Sequence, residues 1–257
     1  FTIWAPRQSG KSTYFMMLAE VLKENGYHVA HVNFEHLEKE KLPVVMNLLL
    51  REINHGWGIH LEAETFGELY NEIAAIDNGK RCILIIDEVE GLNPELFNQF
   101  LHTIRNLYHF REKHCLKSAI LVGVFNIVGI IQDSASPFNI ADNLEVPYFS
   151  DAETGELLHM HEKDTGQLFD QTVKTKIASI TANQPGLVNG FASQLVQRNP
   201  SKDCIDYDDY LKVEDWYLTE AIDKNISNII NKAKKYRGFV EKLLFTEEKK
   251  KFRINDE

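Results

Sequence analysis

Apolar residues along the chain follow two alternating periods. Short runs of strand character lie at Phe1–Trp4, Val29–Phe34, Cys82–Ile86, Ala119–Phe125 and Leu144–Tyr148. Cys82–Ile86 is apolar throughout, the pattern of a strand covered on both faces. The segments between them have helical spacing. Lys11–Glu24 places Phe15, Leu18, Val21 and Leu22 on one face, and Asn25-Gly26 closes it as a C-terminal glycine does. Leu42–Ile53, Phe66–Ile76 and Pro94–His109 also read as helices, the last with Pro at its start, where a missing N–H costs nothing. Strands separated by helices predict a parallel sheet with helices on both sides, a three-layer α/β core over residues 1–150. After Ser150 the strand signal stops. Asp151–Glu162, Gln167–Ala182 and Leu187–Gln197 predict a helical unit over 151–200. Asn199-Pro200-Ser201 reads as a linker, and helical spacing from Tyr207 onward predicts a further small unit over 201–257.

Composition narrows the class. Apolar residues make up 44% of the 257, enough for a core. The net charge of −10 argues against a surface built throughout to grip nucleic acid. Lys224–Arg253 runs the other way, with ten Lys or Arg against three Glu. That segment is either a solvated lysine-rich helical face or a contact surface for a polyanion or acidic partner. Cys82, Cys115 and Cys204 are widely spaced and indicate neither a disulfide framework nor a zinc ribbon, which fits a reducing, cytoplasmic compartment. Ser118–Gln132, an uncharged and largely apolar stretch, is too short to span a bilayer as a helix. The chain opens on Phe1 inside an apolar strand and stops in a charged segment, so it reads as part of a longer protein.

The chemistry concentrates in two places. Ala5-Pro6-Arg7-Gln8-Ser9-Gly10-Lys11-Ser12-Thr13 follows a strand and opens a helix, the setting a phosphate-binding loop requires. Successive backbone N–H groups there form a nest for phosphate oxygens, and the helix N-terminus adds partial positive charge. Gly10 permits close approach, Lys11 reaches the β and γ phosphates, and the Ser12 hydroxyl ligates Mg²⁺. Ala5 stands where glycine is usual. The second place is Ile83-Leu84-Ile85-Ile86-Asp87-Glu88, a buried strand ending in two carboxylates. Asp87 is expected to hold Mg²⁺, and Glu88 to polarise the attacking water. Position 90 is Glu, where a GTPase has Gly, and no Asn-Lys-x-Asp guanine reader occurs. These features favour ATP. Asn126, past the fourth strand, has two readings: a group reaching the γ-phosphate or the lytic water, or an ordinary turn asparagine. His102, His109, His114, His159 and His161 lack the spacing of metal ligands.

Phe1–Thr13, Val32-Asn33-Phe34-Glu35, Ile86-Asp87-Glu88, Val122-Gly123-Val124, Ser136-Pro137-Phe138-Asn139-Ile140 and Gln184–Asn189 together resemble bacterial AAA+ ATPases of the STAND-related group. The resemblance covers residues 1 to about 196, and more weakly the helices to about 244. It implies a five-stranded parallel core, a helical lid and a partial helical or winged-helix unit. It also implies that Pro185 closes over the nucleotide, with Asn183 standing where that group's Gly-x-Pro motif has glycine. The group often carries Arg then Asp just after the Gly-Val of its sensor strand; here those places hold Phe125 and Asn126. No arginine lies between Glu112 and Gln197, which leaves Arg105 and Arg111 as the nearest substitutes for a sensor arginine. Arg7 is either a trans-acting group or a solvated loop charge. The resulting expectation is a slow, Mg²⁺-dependent ATPase switch that signals to a protein partner or to itself. A non-hydrolysing assembly scaffold and a nucleic-acid-associated ATPase using Lys224–Arg253 are the alternatives.

Overall fold

The computed structural model describes residues 1–4, 8–77, 79–124, 142–221 and 224–245. Phe1–Pro6 with Gly10–Pro147 form one compact unit, and Arg7–Ser9 with Tyr148–Glu257 form another.

In the first unit, β1 (Thr2–Trp4), α1 (Lys11–Glu24), β2 (His28–Asn33), α2 (Leu42–Trp57), α3 (Phe66–Ala75), β3 (Cys82–Asp87), α4 (Pro94–His109), β4 (Leu116–Gly123) and β5 (Asn143–Glu145) follow in order. The five strands form one parallel sheet in the order β2-β3-β4-β1-β5. Alternate residues of the central strands feed two cores. Ile83 and Ile85 join Val29, Ile120 and Val122 against Phe15 and Ala19 of α1. Leu84 and Ile86 join Ala30, Val32 and Leu121 against Leu49 and Ile53 of α2, Leu69 of α3 and Phe100 of α4. Covered on both faces, β3 needs apolar residues from Cys82 to Ile86, which accounts for its unbroken run up to Asp87. Trp57, at the end of α2, is fully buried and donates its indole N–H to the Ile83 carbonyl at 2.9 Å.

Helix α1 and α4 have the expected bounds. Helix α2 continues four residues past Ile53 to Trp57, until Gly58 ends it in the left-handed region. Strand β4 starts earlier than its apolar run, at Leu116: Leu116 and Ser118 pair with Cys82 and Ile83, Lys117 is the extra residue at a register shift between them, and neither Lys117 nor Ser118 adds to the core. Cys82 and Cys115, far apart in sequence, meet where β3 and β4 begin. The Cys82 N–H donates to the Cys115 carbonyl at 3.0 Å, and the neighbouring Cys115 thiol, with burial, raises the Cys82 thiol's pKa.

The second unit holds α5 (Asp151–Thr165), β6 (Leu168–Phe169), α6 (Gln171–Thr181), α7 (Pro185–Arg198), β7 (Cys204–Ile205), α8 (Tyr207–Thr219), α9 (Lys224–Lys235) and α10 (Arg237–Phe245). Leu158, Phe169, Val173, Ile177, Val188, Phe191, Leu195, Ile205, Tyr210 and Val213 make one core from α5 to α8. The single helix expected over Gln167–Ala182 is shorter. Gly166 ends α5 at φ 79°, β6 pairs in parallel with β7, and Asp170 caps α6 by accepting from the Thr172 N–H. Two-residue strands are too short to show alternation. No helix among the described residues is long and apolar enough to cross a membrane.

Candidate functional site

Of the loop between β1 and α1, residues 8–10 are described. Gln8 and Gly10 both have positive φ, 58° and 83°, with Ser9 between them outside that region. This alternation turns consecutive N–H groups toward one side. Gly10 occupies the left-handed region at no steric cost, whereas Gln8 holds it against side-chain strain. Helix α1 starts at Lys11 with no side-chain cap from Gly10, and a helix N-terminus favours an anion. Lys11 is buried, with 6% of its surface exposed. Ser12 and Thr13 lie in the first turn.

Parallel pairing brings the end of β3 to the same edge. Asp87, its last residue, is 1% exposed and central to a small network. Its Oδ2 accepts from the Ser12 hydroxyl at 2.7 Å, and its Oδ1 accepts from the Glu88 N–H at 2.9 Å. Its carbonyl accepts from the Phe34 N–H at the end of β2, at 3.0 Å. A hydroxyl beside a carboxylate is a hard oxygen donor set and suits Mg²⁺. Glu88 then turns the chain at φ 51° into a 3₁₀ turn, Val89–Gly91. Burial pushes the Glu88 carboxyl up to about 7, assisted by the hydrogen bond and charge of Glu90 and opposed by Lys11. A carboxylate poised near neutrality is suited to taking a proton from water.

Two contacts fix this turn, and the sequence pointed to neither. A Cβ on Gly91 would lie 2.1 Å from the Phe34 carbonyl oxygen, so the turn sits directly on the end of β2. On the other side, Glu90 Oε1 accepts from the Val124 N–H at 3.2 Å, just past β4. In the sequence Glu90 served only to exclude a GTPase.

In the second unit, Pro185 opens α7 at its first turn. A Cβ on the adjacent Gly186 would lie 2.5 Å from the Gln8 Cβ, so glycine is required where α7 meets that residue. Asn183, in the place of the motif's glycine, holds φ 58°, a region asparagine tolerates. Its side chain donates to Asp151 Oδ1 and accepts from the Thr154 hydroxyl, both at 2.7 Å, which ties the turn before α7 to the start of α5.

The arginine expectation needs correcting. Arg105 and Arg111 line a cavity of about 190 Å³ with Phe1, Thr2, Leu116 and Lys117, at the edge where the strands begin. Helix α4 starts near the Asp87 edge and runs back along the sheet, so Arg105 lies about 16 Å along it from Pro94. Neither arginine is placed to substitute for a sensor. Helix α7 does end in an arginine, Arg198, but its guanidinium lies over the Trp216 ring at 4.7 Å, some 20 Å along the helix from Pro185. Ala5, Pro6, Arg7, Phe125, Asn126 and the 136–140 segment lie outside the described residues.

A parallel sheet of order β2-β3-β4-β1-β5, with a phosphate-type loop after β1 and an acidic end to β3, defines a P-loop NTPase fold. Residues 1–131 match the family model described as the AAA domain; that is 131 of 257 residues, and the chain belongs to this family. Solved structures agree at the level of fold. The chain is similar to the Walker-type ATPase of Pyrococcus abyssi, with TM-score 0.61, 17% identity, and 93% of this chain and 70% of that one covered. It is similar to the ORC2 protein of Aeropyrum pernix in its ADPNP–ADP complexes, with TM-score 0.58, 12% identity, and coverage of 98% and 76%. It is also similar to the RuvB Holliday junction branch migration motor of Thermotoga maritima, with TM-score 0.54, 16% identity, and coverage of 92% and 69%. No curated protein matches it in sequence.

Proposed function

We propose that this chain is a Mg²⁺-dependent ATPase switch domain of the STAND-like kind, with slow turnover. The observation that carries the reading is the 2.7 Å bond from Ser12 to Asp87 beside the buried Lys11. It supports the reading by joining a hydroxyl and a carboxylate next to the loop that would receive phosphates, at the head of the helix that buries Lys11. Ser12 and Asp87 would hold Mg²⁺, whose chemistry there is to neutralise charge on the β and γ phosphates. The inward N–H groups of Gln8–Ser12 bind phosphate oxygens, and Lys11 offsets their charge. Glu88 accepts the proton of the attacking water, and burial keeps it basic enough to do so. Asn126 is a candidate to orient that water. Pro185, at the head of α7, is the lid residue that answers to nucleotide. An arginine finger can contribute 10³–10⁵ in rate for such enzymes, by order of magnitude; the positions of Arg105, Arg111 and Arg198 support slow turnover without one.

The test is Glu88→Gln. The variant should keep ATP affinity, lose hydrolysis and retain bound ATP through gel filtration. A variant that behaves like the wild type would support an assembly scaffold that binds ATP without hydrolysing it. Wild-type turnover well above about 1 per second would refute the slow switch. A second reading rests on α9 and α10, where Lys234, Lys235, Arg237 and Lys242 are exposed. A nucleic-acid role requires a salt-sensitive gel shift, lost when Lys232, Lys234 and Lys235 are reversed.

A further inference from the structure

We propose that Gly186, at the head of α7, is a positioning residue for the phosphate loop: it lets the helix seat against Gln8 and hold that residue in the left-handed backbone that the loop uses to bind phosphate. The inference rests on the ATPase reading above and extends it to a residue far from the loop in sequence.

Gln8 needs support from outside its own loop. Its φ of 58° is one that a glutamine rarely adopts, and such conformations persist only where the surrounding structure holds them. Gln8 lies in the same compact unit as α7. There Gly186 comes so close that a Cβ on it would stand 2.5 Å from the Gln8 Cβ, 2.8 Å from its Oε1 and 2.9 Å from its carbonyl oxygen. Side chain and main chain of Gln8 therefore both rest on the bare Cα of Gly186. Glycine is a poorer helix former than alanine, so helix formation does not account for its place in the first turn of α7.

The head of α7 is fixed firmly enough to act as that support. The Asn183 side chain is bonded to Asp151 and Thr154, and the Asn183 carbonyl accepts from the Phe149 N–H at 3.1 Å. The Gln184 side chain accepts from the Leu187 N–H, and Pro185 is buried. Gln8, by contrast, is an exposed loop residue. With a Cβ added at Gly186, Gln8 is the side that yields, by about 1 Å, because carbon atoms settle about 3.5–4.0 Å apart. A shift of that size turns loop N–H groups away from the phosphate oxygens. Losing one hydrogen bond to a charged group corresponds to roughly 10–100-fold in affinity.

The experiment is a double-mutant cycle on wild type, Gly186→Ala, Gln8→Gly and the double variant. A non-hydrolysable ATP analogue with Mg²⁺ is titrated into each by calorimetry, and the nucleotide-free proteins are melted alongside. Gly155→Ala is the control, in α5 of the same unit, where a Cβ would meet nothing within 4 Å. Gly186→Ala should bind the analogue about 10–100-fold more weakly than wild type while melting within about 3 °C of it. Gln8→Gly removes the Cβ and Oε1 that would collide, and glycine needs no support at positive φ. In that background the same Gly186→Ala change should cost less than about three-fold. Gly155→Ala should bind as wild type does. Unchanged affinity in Gly186→Ala overturns the proposal. An equal loss with and without Gln8→Gly also overturns it, whether or not the protein still folds, because the loss then does not pass through Gln8. A wild-type protein that binds no analogue overturns the ATPase reading, and this proposal with it. Binding that is weakened by Lys11→Ala but indifferent to Gly186→Ala overturns only the proposal.

Discussion

Replacing Gly91 with alanine probes the junction that holds the acidic turn. The added Cβ would lie 2.1 Å from the Phe34 carbonyl oxygen, 2.7 Å from its carbonyl carbon and 3.1 Å from the Glu35 Cα. Carbon–oxygen contacts normally start at about 3.3 Å, so the two segments must part by about 1 Å. Phe34 cannot yield easily. Its N–H is bonded to the Asp87 carbonyl, and its ring is fully buried in edge contact with Phe100 at 5.7 Å. Overpacking of this kind costs about 1–3 kcal/mol, offset by about 0.4–1 kcal/mol from the lower entropy of the unfolded alanine chain. A net loss of about 1–2 kcal/mol corresponds to a fall in Tm of roughly 2–8 °C in a domain of this size. Thermal denaturation followed by circular dichroism reads it. Gly67→Ala in the same unit is the control: its Cβ would meet only the Thr65 hydroxyl, at 3.9 Å. The control should melt at or slightly above the wild-type temperature. Because Glu88 and Glu90 ride on the same turn, Gly91→Ala should also cut ATP turnover by on the order of 100-fold. If Gly91→Ala melts within about 1 °C of both wild type and Gly67→Ala, the close packing of this turn on β2 is wrong.

Three further outcomes test other parts of the structure. Trp57→Phe removes the donor to the Ile83 carbonyl and shrinks a buried ring, and should destabilise the first unit by about 1–3 kcal/mol in urea melts. In the second unit, burial works to raise the Glu162 carboxyl, but the Lys174 ammonium, the Phe169 N–H and His159 outweigh it and hold it below its usual range. Its folded pKa being depressed, its stabilisation is present above the unfolded value of about 4.3 and is lost as pH falls through the folded value, so Lys174→Met should flatten this acid dependence. Asn183→Ala gives up two side-chain bonds and strains a residue at φ 58°, and should lower stability more than Asn183→Gly, which relieves the strain. Equal losses in the two variants would show that the backbone conformation contributes nothing.

Much of the fold was legible because the core strands and helices carry strong periods. The apolar run Cys82–Ile86 could be placed as a central strand from burial logic alone, and Pro94 marked the start of α4. The strands β6 and β7 were not legible, since two residues give no alternation and Gly166 alone does not distinguish a break from a helix end. The candidate site divides in the same way. Lys11, Ser12, Asp87 and Glu88 carry local signatures tied to phosphate and metal chemistry. Glu90 and Gly91 act through Val124 and Phe34, which are 34 and 57 residues away in the chain. Such contacts depend on strand order, and spacing along the sequence does not reveal them. Arg105 and Arg111 show the reverse error: proximity in sequence to Asp87 suggested a shared site, but an antiparallel helix carried them to the far edge of the sheet.

The measurement that bears most directly on the central claim is calorimetric titration of ATP with Mg²⁺ into the wild-type chain and into Lys11→Ala. Lys11 is buried beside the Ser12–Asp87 pair at the head of α1. Its removal should weaken ATP by at least about 100-fold, or about 2.7 kcal/mol, without changing the melting temperature of the nucleotide-free protein by more than a few degrees. Equal ATP affinity in the two proteins would contradict the assignment of this loop as the nucleotide site.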